Sequence, residues 1–490
     1  MPPTGQRDLA RRLREAGFSR RRRSSPPADP GATLARVLSA AGPLAAAFAH
    51  DLARSPERLP ALDRASLARV PRQLSPLPYP AVRSLLERQW GAPLATHFAT
   101  FDEDPTTITF QHQDHRARRL DGTPALVRVL RAEPEDTARE AAQLAAVEAI
   151  RVEGWWLTGA TAAFGERLAT QGDLSSSAAA LHRLAAIDGT ADGTAERPRA
   201  ATVLPELSTA QILTVALPEG IDPANGSPSP EASFRLYRGW LLLAMVEGLL
   251  WTGPWAGNVR FLGRDGDGDD EDALTAGCPL FLGGGAVPLD RAARWDLRDY
   301  LAATRRGDAD RALGYLLRGA TRAPGALSPS NLRDHFRQAV PPVTGRGRTL
   351  ASLLLLHAHL LGIHGYRPAP ALGAWQRSLA GLEHLLGAAT VATEGTEAEG
   401  DPLADAVDDA RILAAAARGR ELFAPSALRR TFLQCGPQWL DALERRGETA
   451  NEASRAPSTA PPPSRDSRAA ESWVGFGSLV VLLGLLALLG

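Results

Sequence analysis

The chain contains no lysine; all 55 of its basic side chains other than histidine are arginine. Any cation meant to meet a phosphate must therefore be a guanidinium. With abundant Ala, Gly and Pro, this composition fits a high-GC coding bias. Cysteine is nearly absent too. Cys278 and Cys435 are the two there are, too few for a metal cluster or a disulfide framework, and a reducing compartment is the default. Neither sign of charge is in excess, since 55 acidic side chains leave a net charge of zero. That excludes an overall basic field recruiting nucleic acid. No repeat of 20–50 residues is found, which argues against a solenoid. Gly283-Gly284-Gly285 lacks the GK[ST] of a phosphate loop. The basic stretch holding Arg11, Arg12, Arg14 and Arg20–Arg23 has no apolar h-region behind it, so it is not a secretory signal. The acidic run Asp265–Asp272 lacks the glutamate of a calcium loop, its twelfth position being Ala276, and is expected to be a solvated turn. His357 and His359 are two apart and fall on different helix faces, which argues against a metal pair.

Hydrophobic residues make up 44% of the 490, enough for a large core and for more than one domain or one large domain with extensions. Residues 7–18 admit a short basic amphipathic helix in an otherwise solvated arm. Apolar spacing predicts helices over 33–95, broken around Pro76, Pro78 and Pro80. Helices are also expected over 138–188, with Asp173 as a cap, over 232–251, and over 291–445. Residues 203–217 are strand-like, residues 222–230 form a Pro/Gly/Ser/Asn linker, and residues 258–290 alternate short strands with glycine turns. The most informative stretch is Phe98–Arg131. Its Asp121-Gly122 turn precedes an alternating run, Ala125-Leu126-Val127-Arg128-Val129, which is the grammar of a hairpin leading into a strand that carries one cation. Near the C-terminus, residues 451–470 look like a flexible linker. Trp473–Gly490 is uncharged and apolar, at the short end of what spans a bilayer, with an interfacial tryptophan at its edge.

Phe98–Arg131 resembles the AarF/UbiB family of atypical, protein-kinase-like proteins, whose members read FAEFDEEPIAAASIAQVHRA and then LKDGREVAVKVQRPG. The match runs without a gap through Phe98, Phe101, Asp102, Glu103, Pro105, Gln113, His115, Arg116, Ala117, Asp121, Gly122, Val127, Val129 and Arg131. Pro205–Thr209 with Ile212-Leu213 resembles the family's PELSTxRVLVMEYLDG strand and hinge. Gly248–Asn258 sits where the family has GFFHADPHPGN. The three matches keep their order and spacing over residues 35–320.

The resemblance implies a kinase-like site, and phosphoryl transfer needs a phosphate cation, a carboxylate to hold it, metal ligands and a base. The cation falls on Arg128, larger and differently shaped from an ammonium. Its helix carboxylate falls on Ser177, and the next acidic position of that helix on Ala179. The catalytic aspartate falls on Gly253, and the metal aspartate of the DFG-like segment on Phe281. Asn258 stands at a metal-ligand asparagine, although a turn residue after Gly257 explains it as well. The nucleotide loop falls on Thr106-Thr107-Ile108-Thr109, stiffer than the family's alanines. The hinge glutamate falls on Ala216, where backbone groups still suffice for a base. The family's KxGQ signature falls near Ala47–His50, without its lysine or glutamine.

The fold implied by the resemblance is α+β, two-lobed and kinase-like. The expected parts are a disordered basic arm (1–32), family-type helices (33–97), a small lobe with a short antiparallel sheet (98–221), a large-lobe core (222–330), a helical extension (331–450), a linker (451–471) and a single transmembrane helix (472–490). The implied function is that of a membrane-anchored pseudokinase. It would be a regulator or scaffold in isoprenoid-quinone or lipid metabolism, with its main domain cytoplasmic, a partner enzyme and lipid or quinone intermediates as contacts, and no nucleic acid. Catalytic residues are expected to be none, with Gly253, Phe281 and Ser177 at the emptied positions. Arg128, Ala216 and Thr107 would line any nucleotide site and Asn258 any metal. No cofactor is expected, ATP and magnesium being the ones the resemblance leaves open. Two alternatives stay open: a divergent ATP-dependent kinase or ATPase using Arg128, Asn258 and the acidic turn, and an interaction module without nucleotide.

Overall fold

Four strands surround the hairpin: β1 (Phe98–Phe101), β2 (Thr107–Ile108), β3 (His112–Arg119) and β4 (Pro124–Leu130). Gly122 takes φ +89 in the turn joining β3 to β4, a backbone conformation glycine adopts at no steric cost. The Thr123 N–H closes the turn on the Asp121 carboxylate at 2.9 Å. This is a computed structural model, describing residues 4–18, 27–71, 74–131, 141–188, 199–218, 229–254, 257–261, 278–339, 349–390 and 401–423. The chain divides into two compact units, Met1–Arg411 and Ile412–Gly490. The described elements lie in the first, apart from the last turns of the helix Pro402–Phe423.

Further strands are β5 (Arg199–Ala200), β6 (Thr202–Val203), β7 (Ile212–Ala216), β8 (Leu249–Thr252), β9 (Val259–Phe261), β10 (Pro279–Phe281) and β11 (Gly285–Pro288). The main sheet has the order β1-β3-β4-β7-β6, with β2 added to β3, and is antiparallel throughout. β4 is central, so both its faces are covered and the alternating run is buried on each. Odd positions Ala125, Val127 and Val129 join Val82, Leu86, Phe98 and Ile212 in a core shared with the helix Tyr79–Trp90. Even positions, Arg128 among them, face the other way. β9 and β10 pair antiparallel, with β5 parallel beside β10, and β8 pairs with β11. Mixed α+β architecture with an antiparallel sheet and many helices is thus established.

The short basic amphipathic helix admitted over 7–18 is present as Thr4–Glu15, within the arm expected to be disordered. Leu9 and Leu13, one turn apart, are buried with Phe18 among Leu34, Leu38, Phe48 and Val147. Arg11 and Arg14 are exposed, so the basic composition hides a narrow apolar stripe. The apolar run 232–251 is not one helix. The helix Pro230–Leu242 is capped by the Ser229 hydroxyl; a π turn, Leu243–Glu247, follows, and Gly248 at φ +70 turns the chain into β8. The continuous apolar stretch Trp240–Val246, which spans this break, carries no period that would show it. Asp173 accepts the Ser175 N–H at 3.0 Å at the start of the helix Leu174–Asp188. No helix among the described residues is long and apolar enough to cross a membrane. Trp473–Gly490, the acidic run Asp265–Asp272, Arg20–Arg23 and Cys435 lie outside the described residues.

Candidate functional site

Asp114 stands directly opposite Arg128 across the β3–β4 ladder. The two form a forked ion pair, Arg128 Nε to Asp114 Oδ1 at 2.8 Å and Nη2 to Oδ2 at 2.9 Å. The guanidinium also reaches into the segment before β9. Nη1 donates to Asn258 Oδ1 and Nη2 to the Gly257 carbonyl, each at 2.6 Å. Four of its five N–H donors are thereby spent on protein. Arg128 and Asn258 are each 2% exposed and Asp114 not at all. Burial opposes the charge on Asp114, but the Arg128 guanidinium outweighs it and holds the carboxyl below its ordinary range. A paired buried charge is tolerable, whereas either partner alone would carry an uncompensated desolvation cost.

Asn258 is used at both ends of its amide. Its Nδ2 donates to the Gly253 carbonyl at 3.1 Å, and its backbone carbonyl accepts the Leu282 N–H at 2.8 Å. Gly253 itself adopts φ +92. Phe281 is fully buried and stacks on Trp251 with ring centres 4.0 Å apart. The Trp251 indole N–H donates to the Gly283 carbonyl at 3.0 Å. A Cβ on Gly283 would run into the Arg128 guanidinium and lie 2.8 Å from Asn258 Oδ1. Glycine at 283 is therefore what lets the chain close over this cluster. Thr107 lies on β2 opposite Asp114, its hydroxyl 3.4 Å from Arg260 Nη2. Arg128, Asn258, Gly253, Thr107 and the backbone beside Phe281 are thus brought together. Ala216 pairs with Ala125, three residues along β4 from Arg128. Ser177 is half-buried on Leu174–Asp188, a helix that packs on β6 and β7. Ala47–His50 fall on the helix Pro43–Ala53, with Phe48 and Ala49 in the core.

His112 is a neighbour that no matched motif position marks. Burial first, and then the Arg128 charge, push its imidazole down to about 3, so it is neutral near pH 7. Nε2 lies 3.8 Å from the Asp114 carboxylate. The matching framework residues play another part. Gln113 accepts the Leu77 N–H at 2.7 Å and meets His115 Nε2 at 2.8 Å. His115 Nδ1 meets the Asp102 carbonyl at 2.9 Å. A carbonyl only accepts, so Nδ1 carries the proton and Gln113 donates to Nε2. These residues tie β1 and the segment before Tyr79 to β3. Asp114 is the site residue missed by reading the motif alone. It occupies the valine of AQVH, and counting outward from the turn at Gly122 places it beside Arg128.

No family model matches the chain. A probable protein kinase UbiB of Marinobacter nauticus is 30% identical over 129 residues; the match covers 26% of this chain but only 24% of that protein's length. The Mycobacterium tuberculosis protein Rv3197, solved in complex with erythromycin, aligns over 72% of this chain and 90% of its own, at 17% identity and a TM-score of 0.36. By the three motif matches and the shared stretch, the chain is related to the AarF/UbiB group of atypical, protein-kinase-like proteins.

Proposed function

We propose that the chain is an AarF/UbiB-like pseudokinase on a two-lobed kinase-like frame, a regulator or scaffold with little or no phosphoryl transfer. The observation that carries this reading is the closure of Arg128 onto Asp114, Asn258 and Gly257. A phosphate would have to displace a buried carboxylate already bound in the fork geometry that carboxylates and phosphates share. The residues do not fit magnesium–ATP in other respects. Magnesium usually takes a carboxylate, but Gly253 and Phe281 stand at the two aspartate positions, and the Asn258 oxygen is occupied by Arg128. Ser177 supplies no counter-charge. A role in isoprenoid-quinone or lipid metabolism, with a partner enzyme, rests on the family resemblance. Attachment to a membrane rests on the apolar run Trp473–Gly490, with the main domain on the cytoplasmic side.

The test is turnover. Full-length protein is incubated with γ-labelled ATP and magnesium, and phosphate release and protein labelling are followed. The expected result is neither, beyond a heat-inactivated control. Phosphate release that Asn258→Ala abolishes, in a variant whose melting curve is intact, would instead establish a divergent ATPase.

A further inference from the structure

We propose that Arg377, on the helix Pro370–Thr390, anchors a surface site for a ligand carboxylate where that helix meets the loop 54–60. Four guanidiniums, those of Arg58, Arg64, Arg167 and Arg377, lie within electrostatic reach of the one carboxylate of Glu57. Three carboxylates around them are committed elsewhere. Asp51 accepts from Arg167 Nε at 2.7 Å, Glu148 accepts the Gly159 and Thr161 N–H groups at 3.0 and 2.9 Å, and Glu383 accepts the Tyr237 hydroxyl. Glu57 stands 3.7 Å from Arg58 Nε, too far for a hydrogen bond. Arg58 donates instead to the Trp156, Thr158 and Gly159 carbonyls, and Arg64 to the Ala53 carbonyl at 3.5 Å. Arg377 alone of the four has no acceptor among the described residues.

The open guanidinium can be reached. Arg377 is half-buried, and none of its nitrogens is sealed from solvent. Gly373, one turn earlier, puts no side chain beside Nη1. A carboxylate therefore docks from outside and needs no enclosed cavity. Burial pushes the Arg377 guanidinium down from its ordinary range, Glu57 opposing, Arg167 adding and Asp51 opposing. A cation so placed costs stability until an anion joins it. The surroundings also set the class of anion. One open fork matches one carboxylate in bidentate geometry. The Glu57 and Asp51 charges felt by Arg377 repel a polyphosphate more than a monoanion. This site is distinct from the Arg128 cluster and is independent of whether nucleotide binds there.

Benzoate and benzamide, alike in shape and different in charge, make matched probes. Binding to the full-length protein is measured by titration calorimetry at fixed ionic strength. The expected result is about tenfold tighter binding of benzoate, as a charge-assisted pair supplies. Arg377→Gln should remove that preference, and Arg36→Gln, which deletes an exposed guanidinium elsewhere, should leave it unchanged. Without ligand, Arg377→Gln should melt no lower than wild type, because it removes a partly buried charge that has no partner. A lower melting temperature would make Arg377 a structural residue and overturn the proposal. Equal affinity for the two probes, a preference that survives Arg377→Gln or is lost in Arg36→Gln, or displacement of benzoate by equimolar inorganic phosphate overturns it as well.

Discussion

At the residue scale, the strand cation Arg128 finds its counter-ion, Asp114, directly opposite on the neighbouring strand. The family pattern pairs a strand cation with a carboxylate on a helix, and here the carboxylate comes from the adjoining strand. Asp114→Asn leaves Arg128 buried without its charge partner, with an expected loss of about 3–5 kcal/mol in urea unfolding. Asp114→Asn combined with Arg128→Met removes both charges and should recover part of that loss, because the two residues share one interaction. Additive losses would show that the pair is not coupled. A second residue-scale expectation concerns pH. Burial holds His357 down to about 3, against 6.5 for the free side chain, with the Tyr300 hydroxyl 3.0 Å from Nδ1. Between those values the unfolded chain binds the proton and the folded chain does not. Stability is therefore fully present above about pH 6.5 and falls as the solution is acidified toward 3. The slope approaches ~1.4 kcal/mol per pH unit for such a group. Unfolding measured at pH 7, 6, 5 and 4 should show this decline, and His357→Gln should make it shallower by this one group's share, since the buried His112 contributes in the same window. An unchanged slope in the variant would assign the acid lability elsewhere.

At the element scale, the N-terminal helices are fastened to the C-terminal part of the same unit by close backbone contact. Gly362, in the helix Leu350–Ile363, lies against the backbone of Glu57, and a Cβ there would collide with the Glu57 carbonyl. The Arg58 guanidinium reaches the Thr158 carbonyl at 3.1 Å from the same loop. Gly→Ala inside a free helix is stabilising by up to about 1 kcal/mol, so the sign of the effect decides. Gly362→Ala is expected to destabilise by about 3 kcal/mol through overpacking, read as a lower urea midpoint; a raised midpoint would mean that the two segments do not touch. The elements also show what was legible in the sequence. The β3–β4 hairpin could be placed from Asp121-Gly122 and the alternation after it, and its register puts Asp114 beside Arg128. The end of the helix Pro230–Leu242 could not, because the apolar stretch Trp240–Val246 runs through it unbroken and Gly248 alone marks the reversal. The helix Thr4–Glu15 was legible as a basic amphipathic helix over 7–18, whereas the burial of Leu9 and Leu13 in the core was not. The parts that need tertiary contact had no local signal: Asn258 reaches Arg128 from 130 positions away, and nothing near it announces that its amide is used at both ends.

At the scale of the whole molecule, the residues that match the AarF/UbiB pattern are ones that hold this fold together. Gln113 and His115 tie strands and Gly122 shapes a turn, tasks that do not depend on whether the proposed pseudokinase turns over nucleotide. At two positions where the resemblance would put metal and phosphate chemistry, Phe281 lies in an aromatic stack and Arg128 in a buried ion pair. The central claim is that this closed cluster takes no nucleotide. It is tested most directly by melting the full-length protein with and without excess ATP, in the presence and absence of magnesium. A ligand at 100 to 1,000 times its dissociation constant stabilises a fold by about 2.7–4.1 kcal/mol. The closed cluster predicts no ATP-dependent shift in either condition. A magnesium-dependent rise in melting temperature, weakened by Asn258→Ala, would contradict it.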